Sequence, residues 1–532
     1  MTVVTGTREQ AIGSPGKSRR GSVLIVDALV AVGLFVTALL YRQHFPRDGL
    51  FYDDAWQAFG AAEGSFGQLI TIGAVQPGFG FELMVWSRIF GSGASTMVVP
   101  AMIAGALGPP ALYLVLRKFG YAVSVSVLLG AALTVCETAI LYSGHVKSYT
   151  ADVLVILLLC VLLPWLARQQ WRVRTAVLWT VGSIVLASFS PFTLLAIIAA
   201  AAILALHSHG DRKIRLIVAG VQAVILAGLF TAENRTLNRA AIVKFFKGHD
   251  AFIRPSLNPV TFGREIVTHF LHVTDVFPGG PAWFSAVCLV LAVVGLYLIA
   301  RSGPLAVVGR FFVLMVGLTV VGSTATKFPF GPSSGAFRVT IWLTPIVAFG
   351  LAAVLQRVYG AAAVRSPGSR IAFNVVAFAC SGLLLASAIG THRGYPPGAA
   401  LATRRVMSEA GPGDVVFITR GTMYTFALEA GTPVHVQRNS SLEVGFMPRF
   451  ADKRLHPLDF LTTSTRTEIT SALGETERAY VVDSLVDPTG YQKYRTNLDN
   501  LIGASGFTLE KRSTVGTANV SVWVRSNGSQ PG

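Results

Sequence analysis

Two adjacent acids near the start of the chain are the strongest candidates for chemistry. Asp53 and Asp54 stand in the segment GLFYDDAWQAFGAAEG, with Tyr52 and Trp56 as aromatic neighbours. One carboxylate of such a pair can act as a general base and take a proton from a hydroxyl group. The pair can also hold a divalent cation. The plainer interpretation is a solvated pair that caps a helix beginning at Ala55, because Asp is a favoured N-cap residue.

Cationic and polar residues in three other segments could serve an anionic substrate. These segments are ILYSGHVKSYTADV, TKFPFGPSSGAFRVTIWL and VQPGFGF, and the candidates in them are His145, Lys147, Tyr149, Lys327, Arg338 and Gln76. A basic residue at the membrane surface can hold the phosphate of a lipid. An ordinary lysine that extends its charged head toward water would look the same in sequence. These acids and cations fall in loops that are predicted to lie on the same side of the membrane, which favours a common site.

The elements that must position these residues are membrane helices. Hydrophobic residues make up 52% of the 532 residues and charged residues 13%, about half the charged share of soluble domains. Apolar windows of the roughly 20 residues needed to cross a bilayer recur along the first three-quarters of the chain. The sequence predicts a mainly α, polytopic bundle of about eleven helices, at residues 23–41, 97–116, 121–142, 150–167, 175–189, 192–207, 214–232, 282–300, 305–323, 339–356 and 371–390.

The distribution of charge predicts the topology. The net charge is +17, and the basic residues cluster in short loops, as the positive-inside rule requires of cytoplasmic loops. This pattern accounts for the charge without a nucleic-acid partner. With residues 1–22 as a cytoplasmic tail, the basic loops fall inside. Loops 42–96 and 234–281 then fall outside, and an odd helix count puts the C-terminus outside. One bent helix in place of the fifth and sixth would break this alternation for every later loop.

The last part of the chain has the pattern of a soluble domain. After the transmembrane region of residues 23–390, residues 391–532 contain two buried-strand patterns, GDVVFIT and RAYVVDS. TMYTFALEAG and YQKYRTNLDNLIGASG read as helices that end at glycine. NVSVWVR alternates in the manner of an edge strand. The expectation is an extracytoplasmic α/β domain that packs over the outer loops or binds an acceptor.

Four segments together resemble the GT-C superfamily of membrane glycosyltransferases, which includes protein O-mannosyltransferases and aminoarabinose transferases. They are the Asp53-Asp54 pair, VQPGFGFELMVWSRIFG, LYSGHVKSYTADVLVILLL and GAFRVTIWLTPIVAFGLA, in that order between residues 53 and 351. The chain departs from the family in three places. Asp54 stands where relatives commonly have Glu, one of two paired prolines is missing beside Pro77, and Lys147 replaces the usual Arg. A lysine keeps the charge but gives up bidentate contact with a phosphate.

The resemblance implies transfer of a hexosyl or pentosyl group from a polyprenyl-phosphate carrier to a lipid, glycan or protein acceptor at the plasma (inner) membrane. Asp53 would be the general base, and Asp54 would orient the acceptor or assist a metal. Lys147, Arg338 and Lys327 would neutralise the phosphate, with His145, Tyr149 and Gln76 nearby. The cofactor stays unknown, a divalent cation being one candidate. The sugar and the acceptor stay open as well.

Two alternatives come from other functional classes. A transporter or flippase of lipid-linked sugars would share the helix count and the basic loops, but such proteins favour mid-membrane charges and inverted repeats. Asp27, Glu137 and Asp152 are the acids within or near the predicted helices, and no repeat is visible. A non-catalytic scaffold could keep the GT-C fold without the activity.

Overall fold

The computed structural model of the protein is mainly helical, with a small mixed sheet near the C-terminus. It describes residues 17–43, 50, 52–68, 76–207, 211–233, 239–301, 303, 305–331, 340–387, 398–439, 442, 444–459, 462–484 and 491–526. Arg338 therefore lies outside the described residues.

The membrane region is built from long apolar helices. Eight helices are long and apolar enough to cross a bilayer, and a bent pair could form a ninth span. The helices of this region are α1 (Lys17–Gln43), α5 (Val99–Lys118), the bent pair α6 (Val123–Thr134) and α7 (Glu137–Ser143), α8 (Tyr149–Arg168), α9 (Val173–Ala187), α10 (Pro191–Leu206), α11 (Arg212–Glu233), α14 (Ala282–Arg301), α15 (Ala306–Thr324), α16 (Leu343–Arg365) and α17 (Pro367–Ser387).

The predicted positions of the spans agree with these helices, but the predicted count of eleven is not confirmed. The predicted third helix is broken between α6 and α7, with a bend of 53°. Helices α9 and α10, which match the predicted fifth and sixth, are shorter than the other spans. Helix α1 begins at Lys17, before its predicted start at Val23. The chain is a multi-pass membrane protein, because these helices turn large apolar side chains such as Leu29 and Leu40 outward, where lipid would cover them.

Close contacts between helices depend on small residues and on paired charges. Gly295 of α14 and Gly350 of α16 meet backbone to backbone, and a Cβ atom at either position would overlap the facing helix. Such small residues let membrane helices approach closely. Asp27 joins α1 to α5 by accepting hydrogen bonds from Tyr113 Oη at 2.6 Å and Arg117 Nε at 2.9 Å. An acid inside the membrane region is thus paired and has a structural role.

Between α1 and α5, and again between α11 and α14, shorter helices lie at one end of the bundle. They are α2 (Tyr52–Glu63), α3 (Pro77–Phe90), α4 (Ala94–Met97), α12 (Arg239–Gly248) and α13 (Pro259–Val276). Pro77 occupies the first turn of α3, where the missing N–H costs nothing because that group has no partner within a helix. These elements fill the long loops predicted at 42–96 and 234–281.

The C-terminal domain contains a five-stranded sheet in the order β4-β1-β5-β7-β6 and a separate β2–β3 hairpin. Strand β1 runs parallel to β4 and β5, whereas β7 is antiparallel to β5 and β6. The elements are α18 (Ala399–Glu409), β1 (Val415–Thr419), α19 (Met423–Glu429), β2 (Val434–Arg438), β3 (Phe446–Phe450), β4 (Leu455–Leu458), α20 (Thr463–Gly474), β5 (Arg478–Ser484), α21 (Tyr491–Ala504), β6 (Phe507–Val515) and β7 (Ala518–Arg525).

The two buried-strand patterns of the sequence form β1 and β5, both fully or almost fully buried, and the two helix patterns form α19 and α21. The prediction of an edge strand is wrong. NVSVWVR forms β7, which lies between β5 and β6 and is mostly buried. Its polar Asn519 and Ser521 satisfy partners inside the domain, since Asn519 donates to Asp483 at 3.1 Å. The polar residues of β7 are paired inside the domain, so its alternation of polar and apolar residues does not mean that one face meets solvent.

The apolar core does not stop at the boundary between the membrane helices and the C-terminal domain. One continuous cluster joins α2 and α3 to the C-terminal domain through Phe59, Phe79, Tyr424 and Phe446. A second cluster, around Phe417, lies on the other face of the sheet, and the largest fills the membrane bundle. The helix that carries the two acids is therefore packed against the C-terminal domain.

Candidate functional site

The two acids lie in the first turn of α2, and their side chains have different surroundings. Asp54 is 1% exposed, whereas the Asp53 side chain is 31% exposed. Both carboxylates favour the helix start electrostatically, because the N-terminal end of a helix carries a partial positive charge. The interpretation as a solvated cap before Ala55 does not hold for Asp54. Helix α2 begins at Tyr52, and Asp54 turns into the protein.

A carboxylate–imidazole pair, formed by the buried Asp54 and the mostly buried His145, lies behind the partly exposed Asp53. His145 Nδ1 is 2.6 Å from Asp54 Oδ2, and the Tyr142 ring packs against the imidazole with centroids 5.0 Å apart. Tyr142 also meets Tyr149 edge-on at 5.7 Å. The loop between α7 and α8 thus carries His145 to Asp54 and holds the imidazole between its neighbours.

Two acceptor atoms on this face of α2 are buried and have no hydrogen-bond partner among the described residues. They are Asp54 Oδ1 and Gln57 Oε1, and residues three apart lie on the same side of a helix. A buried acceptor left without a donor costs about 1–3 kcal/mol. These two oxygens therefore keep acceptor capacity that no described group uses.

Lys147 contacts the partly exposed Asp53 from inside the protein. Its Nζ donates to the Asp53 backbone oxygen at 2.7 Å and lies 3.6 Å from Asp53 Oδ2. The ammonium also lies 4.6 Å from the centroid of the Trp56 ring, as in a cation–π contact. Lys147 is 5% exposed, so the interpretation as a lysine that reaches out to water is wrong. Its charge instead sits beside Asp53.

The remaining predicted residues that the structure describes, Gln76 and Lys327, lie at the start of α3 and after α15. Gln76 is the N-cap of α3 and accepts the Gly80 amide with its backbone oxygen at 2.7 Å. Gly78 donates its amide to Ser188 at 2.9 Å, which ties this segment to the end of α9. Lys327 is exposed in the turn after α15.

Two buried charges beside the site were not among the predicted site residues. Arg42, 1% exposed, donates from Nε to Ser143 Oγ at 2.9 Å, and its Nη2 has no partner among the described residues. Asp152 accepts hydrogen bonds from Ser190 Oγ at 3.0 Å and Thr193 Oγ1 at 3.1 Å. In sequence, Arg42 ends an apolar run and looks like a loop residue. The only signal in the sequence was the position of this charged residue directly after the first predicted span.

The C-terminal domain reaches the site through the residue before Asp53. Arg420, at the end of β1, donates from Nε to Tyr52 Oη at 3.1 Å and stacks on the Tyr52 ring. Tyr52 packs against Tyr424, with ring centroids 5.6 Å apart. Burial raises the pKa of Tyr424, whose hydroxyl donates to the Phe446 backbone oxygen at 2.6 Å. One wall of the site therefore belongs to the C-terminal domain.

A resident metal ion does not fit this arrangement well. Among the described residues, no group of three His, Cys, Asp or Glu side chains is placed to hold a metal. Asp54 Oδ1 is an available oxygen, but Asp54 Oδ2 is engaged by His145 and Asp53 by Lys147. The ammonium of Lys147 supplies positive charge where a cation beside Asp53 would otherwise supply it.

Comparison with solved structures supports the predicted fold. ArnT from Cupriavidus metallidurans, solved with bound undecaprenyl phosphate, matches with a TM-score of 0.52 and 13% sequence identity, over 94% of this chain and 98% of that one. At this identity the likeness concerns the fold, and it confirms the predicted GT-C-like fold. Arabinofuranosyltransferase AftD from Mycobacteria, at 13% identity over 95% of this chain and 40% of that one, has a TM-score of 0.34, too low to bear on the fold. No protein-family model and no curated protein sequence matches the chain.

Proposed function

We propose that the protein is a membrane glycosyltransferase that moves a sugar from a polyprenyl-phosphate carrier to an acceptor hydroxyl on the extracytoplasmic face, in cell-envelope glycan or glycolipid assembly. The observation that carries the proposal is the pairing of an accessible carboxylate, Asp53, with a buried ammonium, Lys147, beside the buried Asp54–His145 pair. The GT-C-like fold and the undecaprenyl phosphate bound to ArnT support a lipid-phosphate donor.

In this proposal Asp53 is the general base, because it is the acid that a substrate can reach. It takes the proton of the acceptor hydroxyl as the acceptor oxygen forms its bond to the anomeric carbon. The bond between that carbon and the phosphate oxygen breaks, and the electron pair leaves with the carrier phosphate. Lys147 stabilises the carboxylate before the transfer and neutralises the leaving phosphate. Electrostatic stabilisation of this kind is usually the largest part of catalysis.

The other residues have supporting roles. Asp54 and Gln57 offer buried acceptor atoms that can orient the acceptor hydroxyl, and His145 fixes the Asp54 carboxylate. Arg338 and Lys327 are proposed to bind the donor phosphate from the segment between α15 and α16, with Tyr149 and Gln76 at the rim. Sensitivity of the activity to a chelator tests whether a divalent cation takes part.

A transporter is supported less well. Two of the three acids within or near the predicted helices have structural partners, since Asp27 pairs with Arg117 and Asp152 with two hydroxyl groups. Transport pathways need ionisable groups that can exchange partners with a substrate or an ion. A scaffold without activity would predict the same fold, and only an assay separates it from the enzyme.

The proposal is tested with the purified full-length protein in liposomes and a panel of labelled polyprenyl-phosphate hexoses and pentoses. Wild-type protein should release carrier phosphate and label an acceptor with at least one donor. Asp53→Asn should lower turnover by about 10²–10⁴-fold, the usual contribution of a general base, with donor binding retained. Asp250→Asn is the matched control, because Asp250 is exposed, lies beyond α12 and pairs with Arg254 at 2.5 Å. Wild-type turnover in a well-folded Asp53→Asn protein would contradict the assignment.

A further inference from the structure

A cavity of about 400 Å³ opens at the end of the bundle opposite the acids. Its polar lining comes from the end of α8 and the residues after it, from the end of α10 and from α11. Helix α8 runs from Tyr149, two positions after Lys147, to Arg168 at the cavity. Its 20 residues span about 30 Å at 1.5 Å per residue, the thickness of the hydrocarbon core. The cavity and the candidate active site therefore lie at opposite membrane surfaces.

The charge of the cavity is positive. Arg168, His207 and Arg215 line it, with the amides of Gln169 and Gln170 beside them, and the described lining residues include no acid. Arg168 is exposed at the end of α8. Arg310, on the first turns of α15, brings its Nη1 to 3.5 Å from His207 Nδ1. Two exposed guanidinium groups thus stand at the edge of a pocket that also offers amide donors.

Arg215 has a different role, because its charge is already balanced. It is 3% exposed, pairs with Asp211 at 3.0 Å, and donates to the backbone oxygens of Leu204 at 3.2 Å and Gln169 at 2.9 Å. Burial opposes the charge of Asp211, but the Trp171 amide and Arg215 lower its pKa overall, so the carboxylate is ionised at neutral pH. Arg215 ties the ends of α8, α10 and α11 together and forms the rigid floor of the cavity.

We propose that this cavity binds the phosphate-bearing headgroup of an anionic lipid in the leaflet opposite the active site. Basic pockets between membrane helices on the cytoplasmic side are the sites that bind anionic headgroups, and about 400 Å³ is within the size of small-ligand sites. Arg168 and Arg310 contact the phosphate, and the Gln169 and Gln170 amides contact the polar remainder. The bound headgroup bridges helices that Arg215 already joins, and so stabilises that end of the bundle.

The test measures thermal unfolding of the full-length protein in neutral detergent with added phosphatidylglycerol, cardiolipin or phosphatidylcholine. A fourth arm uses inorganic phosphate at the same phosphate concentration. Because a ligand that binds the folded state raises its stability, the two anionic lipids should raise Tm by about 3 °C or more and phosphatidylcholine should not. An equal rise with phosphatidylcholine overturns the proposal. A full rise with inorganic phosphate alone assigns the cavity to a soluble anion and overturns the lipid assignment.

The variants remove the two exposed cations while leaving the floor of the cavity intact. Arg168→Gln with Arg310→Gln should abolish the lipid-dependent rise and leave Tm without lipid unchanged, since both side chains are exposed. The matched control is Arg365→Gln with Arg370→Gln, two exposed arginines at the junction of α16 and α17 that do not line the cavity. An undiminished rise in the first double variant, or its loss in the control, contradicts the site. None of these readouts depends on sugar transfer, so they stand apart from the proposed activity.

Discussion

Lys147 touches Asp53 twice, through the backbone oxygen at 2.7 Å and the carboxylate at 3.6 Å. The backbone contact fixes the position of the ammonium at the start of α2, and the carboxylate contact uses its charge. The Trp56 ring covers the third side. In the proposed mechanism, one lysine in this position both orients Asp53 and neutralises the negative charge of the leaving phosphate.

The two roles of Lys147 can be separated by substitution. Lys147→Ala should lower kcat/KM for the lipid donor by about 10–100-fold, since hydrogen bonds to charged groups contribute about 1.5–3 kcal/mol. Lys147→Arg should lose much less, because the charge remains. Steady-state kinetics with varied donor give the result, and unfolding curves of both variants show whether the fold is retained. Equal losses in well-folded Ala and Arg variants would mean that shape, and not charge, matters at this position.

The partner of Asp54 could not be predicted from the sequence. His145 lies 91 positions along the chain, and no local pattern connects it to an acid. The sequence did single out both residues, because each stands beside an apolar span in a polar outer loop. What it lacked was the direction of each side chain. Asp54, His145 and Lys147 turn inward, although charged residues in a polar loop are expected at the surface.

At the scale of elements, the helices meet through positions that a hydropathy pattern does not distinguish. Gly295 and Gly350 look like any glycines of an apolar run, yet they set the contact between α14 and α16. Asp152 looks like a transport residue, yet it holds α8 to the start of α10 through Ser190 and Thr193. The spans follow from apolar length, whereas their packing depends on single small or polar residues.

Gly295→Ala should destabilise the bundle. The added methyl group would overlap the Gly350 backbone, and overpacking typically costs about 1–3 kcal/mol. Gly317→Ala is the matched control on α15, because nothing lies within 4 Å of its Cβ position and alanine favours a helix. Thermal unfolding in detergent should show a lower midpoint for Gly295→Ala alone. A midpoint equal to or above that of the control would show that α14 and α16 can separate without loss.

At the scale of the whole molecule, the order of apolar spans was readable and their exact number was not. The break between α6 and α7 and the short α9 and α10 leave the number of crossings dependent on how each is counted. The charge pattern favours separate crossings of α9 and α10, because the basic loops alternate with the polar outer loops only in that case.

Reporter fusions test that topology. A fusion after Gly390 should report an extracytoplasmic location and a fusion after Leu206 a cytoplasmic one, because the positive-inside rule assigns the basic loops to the cytoplasm. An alkaline phosphatase and a fluorescent reporter at the same positions check each other, since they are active on opposite sides. A cytoplasmic result after Gly390 would overturn the orientation and move the acids to the other membrane surface.

The shared core of α2, α3 and the C-terminal domain has a consequence for biosynthesis. Tyr52 and Phe59 are made early, but their partners Arg420, Tyr424 and Phe446 are made hundreds of residues later. At about 5–20 residues per second, on the order of half a minute separates the two events. In the proposed topology the acids emerge from the translocon first and wait uncovered until the end of the chain follows. In the proposed function, activity on lipid-linked sugars then begins only after the last segment has crossed the membrane.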